Sequence, residues 1–326
     1  MSAGTGAGID TGCVRLRLAR TDGKISAVSV ASERPAVAQA LRGRAADAAV
    51  RMVPLLFALC GKAQGRAAEL ALAAARGQAC APHLDATIEA EAMREHLWRW
   101  LLDLPPLLGE SALKAEFVAA ASQIASGQRT GLDALLRDPR MENLCRRLAD
   151  MEDVADAAPR CLPSLDAQAS LALWPQFNAG FCREPEWLGQ AAETGALARR
   201  RGRPGISEKA FAARWLVRLE ELQNWAQGKA GVGAGGTASA VPVATGRGRA
   251  LVETARGLLM HEIALDGERI ADYFIVAPTE WNFHPRGPLA GWLMGRDAVD
   301  RQAVEAFAAR AVAALDPCVR WELEWL

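Results

Sequence analysis

The chain has 326 residues, with 38 basic and 38 acidic side chains and a hydrophobic fraction of 51%, enough to bury a large core in one domain. The balanced charge excludes the basic footprint of a nucleic-acid or anionic-membrane binder, so any partner has to be recognised locally. No run of about twenty apolar residues and no charged-then-apolar amino-terminal stretch occurs; the expectation is a cytoplasmic protein without membrane span or signal peptide.

Residues Met1 to Ile9 are rich in Gly and Ala and are expected to be disordered. Val14, Leu16 and Leu18 then alternate, Asp22-Gly23 marks a turn, and Ile25, Val28 and Val30 resume the pattern, which predicts a hairpin. Helical periodicity follows from Pro35 to Leu59, interrupted near Arg42-Gly43, and a second Ala-rich helix runs from Lys62 to Ala75. Cys60 therefore stands at a helix amino terminus, where unpaired N–H groups and the macrodipole favour thiolate over thiol. Gly61 beside it equally suits a tight bend between helices.

Glu89 to Leu102 predicts an amphipathic helix carrying His96, Trp98 and Trp100 and ended by Pro105-Pro106. His96 has no second ligand three or four residues on and reads as packed. Ser111 is expected to cap a helix to Ser126. From Thr130 to Gly205 the pattern is mixed, and Cys145, Cys161 and Cys182 fit no metal-ligand spacing. The seven cysteines, an odd number without a CxxC pair, suit a reducing compartment and argue against a disulfide framework or zinc ribbon. Ten tryptophans beside one tyrosine read as core filling.

Ser207 opens a long amphipathic helix to Gln227. Residues 228–248, rich in Gly and Ala, read as a flexible loop. Gly231, Gly233 and Gly236 have the GxGxxG spacing but follow a helix rather than a strand, so the dinucleotide reading is rejected. Leu258 to Ala264 and Arg269 to Val276 predict a second hairpin about Asp266-Gly267, and a polar and aromatic loop follows from Ala277 to Arg286. A last helix through Glu305, Ala308, Val312 and Leu315 is stopped by Pro317. That delivers Cys318 just past a helix end. A lone cysteine there is ordinarily a small buried hydrophobe. The expected fold is a single α+β domain over residues 1–326, mainly helical, in which the first and last hairpins meet and bring Cys60 and Cys318 into one site.

Four stretches in order carry a resemblance: the hairpin from Gly12, Cys60-Gly61, Glu253 to His261 with Pro278 to Arg286, and Asp316-Pro317-Cys318. They are similar to the large subunit of nickel-iron hydrogenases. In that family two paired-cysteine motifs hold a nickel ion and an iron carrying two cyanides and one carbon monoxide. The first cysteine of each pair binds nickel terminally and the second bridges to iron. Here the first motif reads Ala58-Leu59-Cys60-Gly61-Lys62-Ala63, with Ala63 where the bridging thiol should be. In the second, Trp321 replaces the second cysteine and Glu324 the histidine. The family's proton-transfer glutamate falls on Thr11, and the family's cleavable carboxy-terminal extension is not found in the sequence.

The closer resemblance is to hydrogenase expression/formation accessory proteins of the HupK/HoxV type, degenerate relatives of the large subunit. It implies a non-catalytic maturation scaffold that binds the Fe(CN)2(CO) unit transiently, without nickel, and passes it to an apo large subunit. General maturation chaperones would deliver that unit. Cys60 and Cys318 would be its metal ligands. Arg256, in the Ala255-Arg256-Gly257 turn, matches the family arginine that can donate to a cyanide nitrogen. Pro278 and Thr279 match the segment around the second cyanide, with the Thr279 hydroxyl as donor. Val53, Leu56 or Leu59 would offer carbon monoxide an apolar wall, and His261 matches a family histidine behind the ligands. Two alternatives remain open at this point. One is a metal-free interaction module imitating the large subunit; the other is a divergent hydrogenase with Glu324 or Cys13 as substitute ligands.

Overall fold

A computed structural model describes residues 12–35, 37–57, 59–155, 159–200, 209–233 and 236–326. The expectations for Met1 to Ile9, Thr11 and Ser207 fall outside these residues. Eight strands, β1 (Cys13–Thr21), β2 (Lys24–Glu33), β3 (Cys80–His83), β4 (Ala238–Ala244), β5 (Arg247–Thr254), β6 (Gly257–Asp266), β7 (Arg269–Val276) and β8 (Arg320–Trp325), are set among helices. They form two sheets, a three-stranded one ordered β2-β1-β8 and a five-stranded one ordered β3-β4-β5-β6-β7. Among the described residues no helix is long and apolar enough to cross a membrane.

The first hairpin forms as its alternation dictates. Val14, Leu16 and Leu18 are fully buried, while Arg15 and Arg17 point the other way. Its turn residues Asp22 and Gly23 both have positive φ, 50° and 74°, the conformation that suits a two-residue hairpin connection. The sequence pattern does not reveal β8. It runs parallel to β1, with Cys13 opposite Arg320 and Leu18 opposite Trp325. Arg15 bonds Glu322 and Glu324 across this pair at 3.0 and 2.6 Å, and Arg17 bonds Glu324 at 2.8 Å.

The hairpins at the two ends of the sequence come together as expected, each in its own sheet, since β1 takes the carboxy-terminal strand as its neighbour. Ser32 of β2 and Arg34 just after it both bond Glu280, just past β7, at 3.0 and 2.5 Å. The loop expectation is corrected, for 228–248 is not a loop throughout. Its second half forms β4 and the start of β5, turning at Thr245-Gly246 with Gly246 at φ 70°.

The helix Gly61–Ala75 packs across the five-stranded sheet through Ala67, Ala68, Ala71 and Ala74, all fully buried. Small residues allow close approach, and Gly248 of β5 sets its limit: a Cβ there would lie 2.1 Å from the Ala75 nitrogen. This contact holds the helix that Cys60 immediately precedes. Trp100, Trp215 and Trp281 are fully buried, in line with the core-filling reading of the tryptophans. Gly248→Ala is expected to cost about 3 kcal/mol or more by overpacking, measured as a lowered urea midpoint at unchanged slope.

Candidate metal-unit site

Cys60 is the residue before the helix Gly61–Ala75 and adopts φ −118°. Glycine follows it for a steric reason, since a Cβ at Gly61 would come within 2.8 Å of the Pro54 carbonyl oxygen. The bend reading and the ligand reading of Cys60-Gly61 are therefore compatible. The thiolate expectation is corrected. The first-turn N–H groups of Lys62 and Ala63 donate to Glu91 at 2.9 and 3.0 Å, so a carboxylate takes the helix-terminal donors. Burial pushes the Cys60 thiol up to about 12; Cys318 and Glu91 add to this, and Arg256 and Arg34 oppose it. Burial thus favours the neutral thiol over the thiolate at Cys60.

Cys318 is delivered by the helix Arg301–Leu315, which ends at Asp316 in the left-handed conformation, φ 57°. Arg34 Nη2 donates to its sulfur at 2.8 Å. Thr279 Oγ1 lies 3.1 Å from the same sulfur and accepts the Cys318 N–H at 3.3 Å. The hydroxyl proton can thus point to the sulfur. Arg34 is held in turn by Glu280, which also accepts the Ala277 N–H at 3.1 Å. No periodicity or quoted motif marks Arg34 in the sequence; its role appears only when β2 and the segment after β7 come together.

Asp316 anchors the other cations. Its carboxylate accepts from Arg99 Nε at 2.6 Å and Arg256 Nε at 3.0 Å, with Arg218 Nε at 3.9 Å. Burial works against its ionisation, yet Arg256, Arg99 and Arg218 outweigh it and hold the carboxyl well below the usual range. Arg256 also donates to Glu95 at 3.1 Å. Two of its nitrogens are therefore committed to carboxylates, fewer free donors than its sequence position promised. Both Cys318 and Cys60 act on its charge. Ala255 is buried in the same turn, and Pro278 opens the short helix Pro278–Asn282 and is buried there.

Cys60, Cys318, Arg34 and Arg99 line one cavity of about 1220 Å³, with Leu56, Leu59 and Trp321 on its wall. Val53, the third residue considered for an apolar wall, is buried in the core beneath and does not reach it. Ala63 is fully buried among apolar neighbours. The proposed substitute ligands do not converge here. Glu324 is engaged by Arg15 and Arg17, and Cys13 lies buried in β1 with its thiol 3.5 Å from the Val14 carbonyl. Cys182, read as structural, lies on the cavity wall, its thiol pushed up to about 12 by burial. Among the described residues no three His, Cys, Asp or Glu side chains cluster as a metal site.

His261 stands behind Cys60. Its Nε2 donates to Gln64 Oε1 at 2.8 Å, which leaves Nδ1 to accept from the Tyr273 hydroxyl at 2.8 Å. Gln64 Nε2 then lies 3.7 Å from the Cys60 sulfur. Burial lowers the His261 pKa to about 3, so the ring is neutral and orients Gln64. His96 is packed, bonded to Glu221 at 2.8 Å.

The nickel-dependent hydrogenase profile matches residues 188–320. The chain is 32% identical to the hydrogenase expression/formation protein HoxV of Cupriavidus necator, over 91% of this chain and 92% of that one. It is 34% identical to the hydrogenase expression/formation protein HupK of Bradyrhizobium diazoefficiens, over 90% of each. Among solved structures, the Ni-Fe-Se hydrogenase of Desulfovibrio vulgaris Hildenborough superposes with a TM-score of 0.59 at 17% identity, covering 92% of this chain and 94% of that chain. That likeness is one of fold.

Asp316→Asn leaves buried guanidinium groups without their counter-charge and is expected to cost about 3–5 kcal/mol in urea unfolding at pH 7. The Asp316 carboxyl is depressed in the folded state, so its stabilisation is present above the ordinary carboxylate range and fades as pH falls below about 4. The difference between wild type and Asp316→Asn should shrink over that acid window. Cys60 should be alkylated by iodoacetamide at pH 8 at least about tenfold more slowly than free cysteine, read by mass spectrometry of the Cys60 peptide.

Proposed function

The chain belongs to the hydrogenase expression/formation proteins of the HupK/HoxV type, and we propose that it serves nickel-iron hydrogenase maturation as a carrier of the Fe(CN)2(CO) unit. The observation that supports this most is the pair Cys60 and Cys318 lining one cavity, both free thiols, with Arg34 donating to the Cys318 sulfur and the Thr279 hydroxyl in hydrogen-bond contact with it. Iron(II) with two cyanides is formally neutral, and two thiolates make the assembly a dianion. Such a charge needs cationic or hydrogen-bond compensation when desolvated. Arg34 and Arg256 supply guanidinium groups and Thr279 a hydroxyl. Leu56 and Leu59 provide an apolar wall suited to carbon monoxide.

In this reading the protein is a scaffold and not an enzyme. With Ala63 and Trp321 in place of the bridging thiols, two thiols remain rather than four, too few for both metals in the bridged arrangement, and the cargo in this reading is the iron unit without nickel. The carrier works in the cytoplasm, receives the iron unit from the general maturation chaperones and gives it to the apo large subunit. Both exchanges take place at the mouth of the cavity. Burial that favours a neutral Cys60 fits a carrier, since a ligand set completed only on loading can be undone on transfer.

The test is complementation in a strain lacking this protein but otherwise able to make hydrogenase. Cys60→Ala and Cys318→Ala should each lower hydrogenase activity and iron content of the large subunit by more than about tenfold, with the variants present at wild-type level. Full activity with both cysteines replaced would instead establish the metal-free interaction module.

A further inference from the structure

Arg34 differs from Arg256 and Arg99 in dividing its bonds between a carboxylate and a thiol sulfur. Arg256 is matched by two carboxylates, Asp316 and Glu95. Arg99 is matched by Asp316 and Asp103. Arg34 has one carboxylate, Glu280 at 2.5 Å, and spends its other bond on the Cys318 sulfur at 2.8 Å. Its direction is fixed from behind, because Glu280 is itself tied to Ser32 and to the Ala277 N–H. Nε faces the carboxylate and Nη2 faces the sulfur; both partners line the cavity, and the guanidinium is the end that reaches the Cys318 sulfur.

We infer that Arg34 is a specificity-determining residue that turns the two-thiol site towards a metal unit carrying its own anionic ligands and away from a bare divalent cation. A bare divalent cation brings only positive charge towards the guanidinium and gains nothing from it. Anionic ligands on the metal add negative charge within a few ångströms of Nη2, and there the guanidinium is strongly favourable. Thr279 reinforces the arrangement from the other side of the same sulfur. Two hydrogen-bond contacts on one sulfur leave it a single open direction for one metal. This inference deepens the carrier reading by naming the residue that selects the cargo's chemical class.

The experiment uses the full chain with Co2+ alone and then azide, a linear anion, as probes. Anaerobic Co2+ titration is followed by the thiolate-to-cobalt absorption, and azide is then added to the cobalt-loaded protein. For Arg34→Gln the Co2+ dissociation constant should stay within about threefold of wild type while azide binding weakens about tenfold. Arg34→Lys, which keeps the charge, should retain most of the azide affinity. Unchanged azide affinity in Arg34→Gln overturns the inference. So does a parallel loss of cobalt and azide binding, which would mark Arg34 as structural, and so does a wild type that takes up no cobalt or no azide. The outcome is independent of cells and maturation partners: complementation failing while this titration succeeds would remove the carrier reading and leave Arg34's selectivity standing.

Discussion

Asp316 holds the site together. Its carboxylate lies at the buried end of a helix and gathers Arg99 and Arg256 within hydrogen-bond distance, with Arg218 close behind. The residue adopts a left-handed backbone, φ 57°, which costs a non-glycine residue about 1–2 kcal/mol. The ion pairs offset that cost and the loss of hydration together. What they secure is a change of chain direction: Pro317 cannot continue the helix, its carbonyl accepts from Arg99 at 2.9 Å, and Cys318 turns into the cavity. The next residues then enter β8 beside β1, which fixes the wall opposite.

Around this anchor the two thiols have different surroundings. Cys318 is bonded by a guanidinium and approached by a hydroxyl. Cys60 sits above a helix whose end is already neutralised by Glu91, and burial favours its neutral form. The difference follows from the two ways the chain delivers a cysteine. One arrives before a helix, where another helix supplies the capping carboxylate, and the other arrives after a helix, where the segment after β2 supplies Arg34 and the short helix after β7 supplies Thr279.

Much of this was legible in the sequence. Alternation about Asp22-Gly23 and Asp266-Gly267 gave both hairpins, because period two and turn chemistry are local signals. Pro317 and Gly61 marked where each cysteine leaves or enters a helix. What stayed hidden depends on contacts between distant segments. The strand Arg320–Trp325 forms because β1 offers it an edge, and its Arg and Glu side chains form cross-strand pairs that no single stretch announces. Residues 238–248 read as loop from small residues that in fact let β4 and β5 lie against an Ala-rich helix. Arg34 lies in no motif and gains its meaning from Glu280, which is far off in the chain. The helix-terminus expectation for Cys60 missed Glu91 for the same reason.

The central claim is that Cys60 and Cys318 together hold iron bearing cyanide and carbon monoxide. Infrared spectroscopy of the protein, purified anaerobically from a cell that is making hydrogenase, tests it most directly, since both ligands absorb where proteins do not. The account predicts cyanide bands and one carbonyl band in the wild type, and their loss when both cysteines are replaced by alanine. Absence of these bands from wild-type protein taken from an actively maturing cell, or their persistence without either thiol, would contradict it.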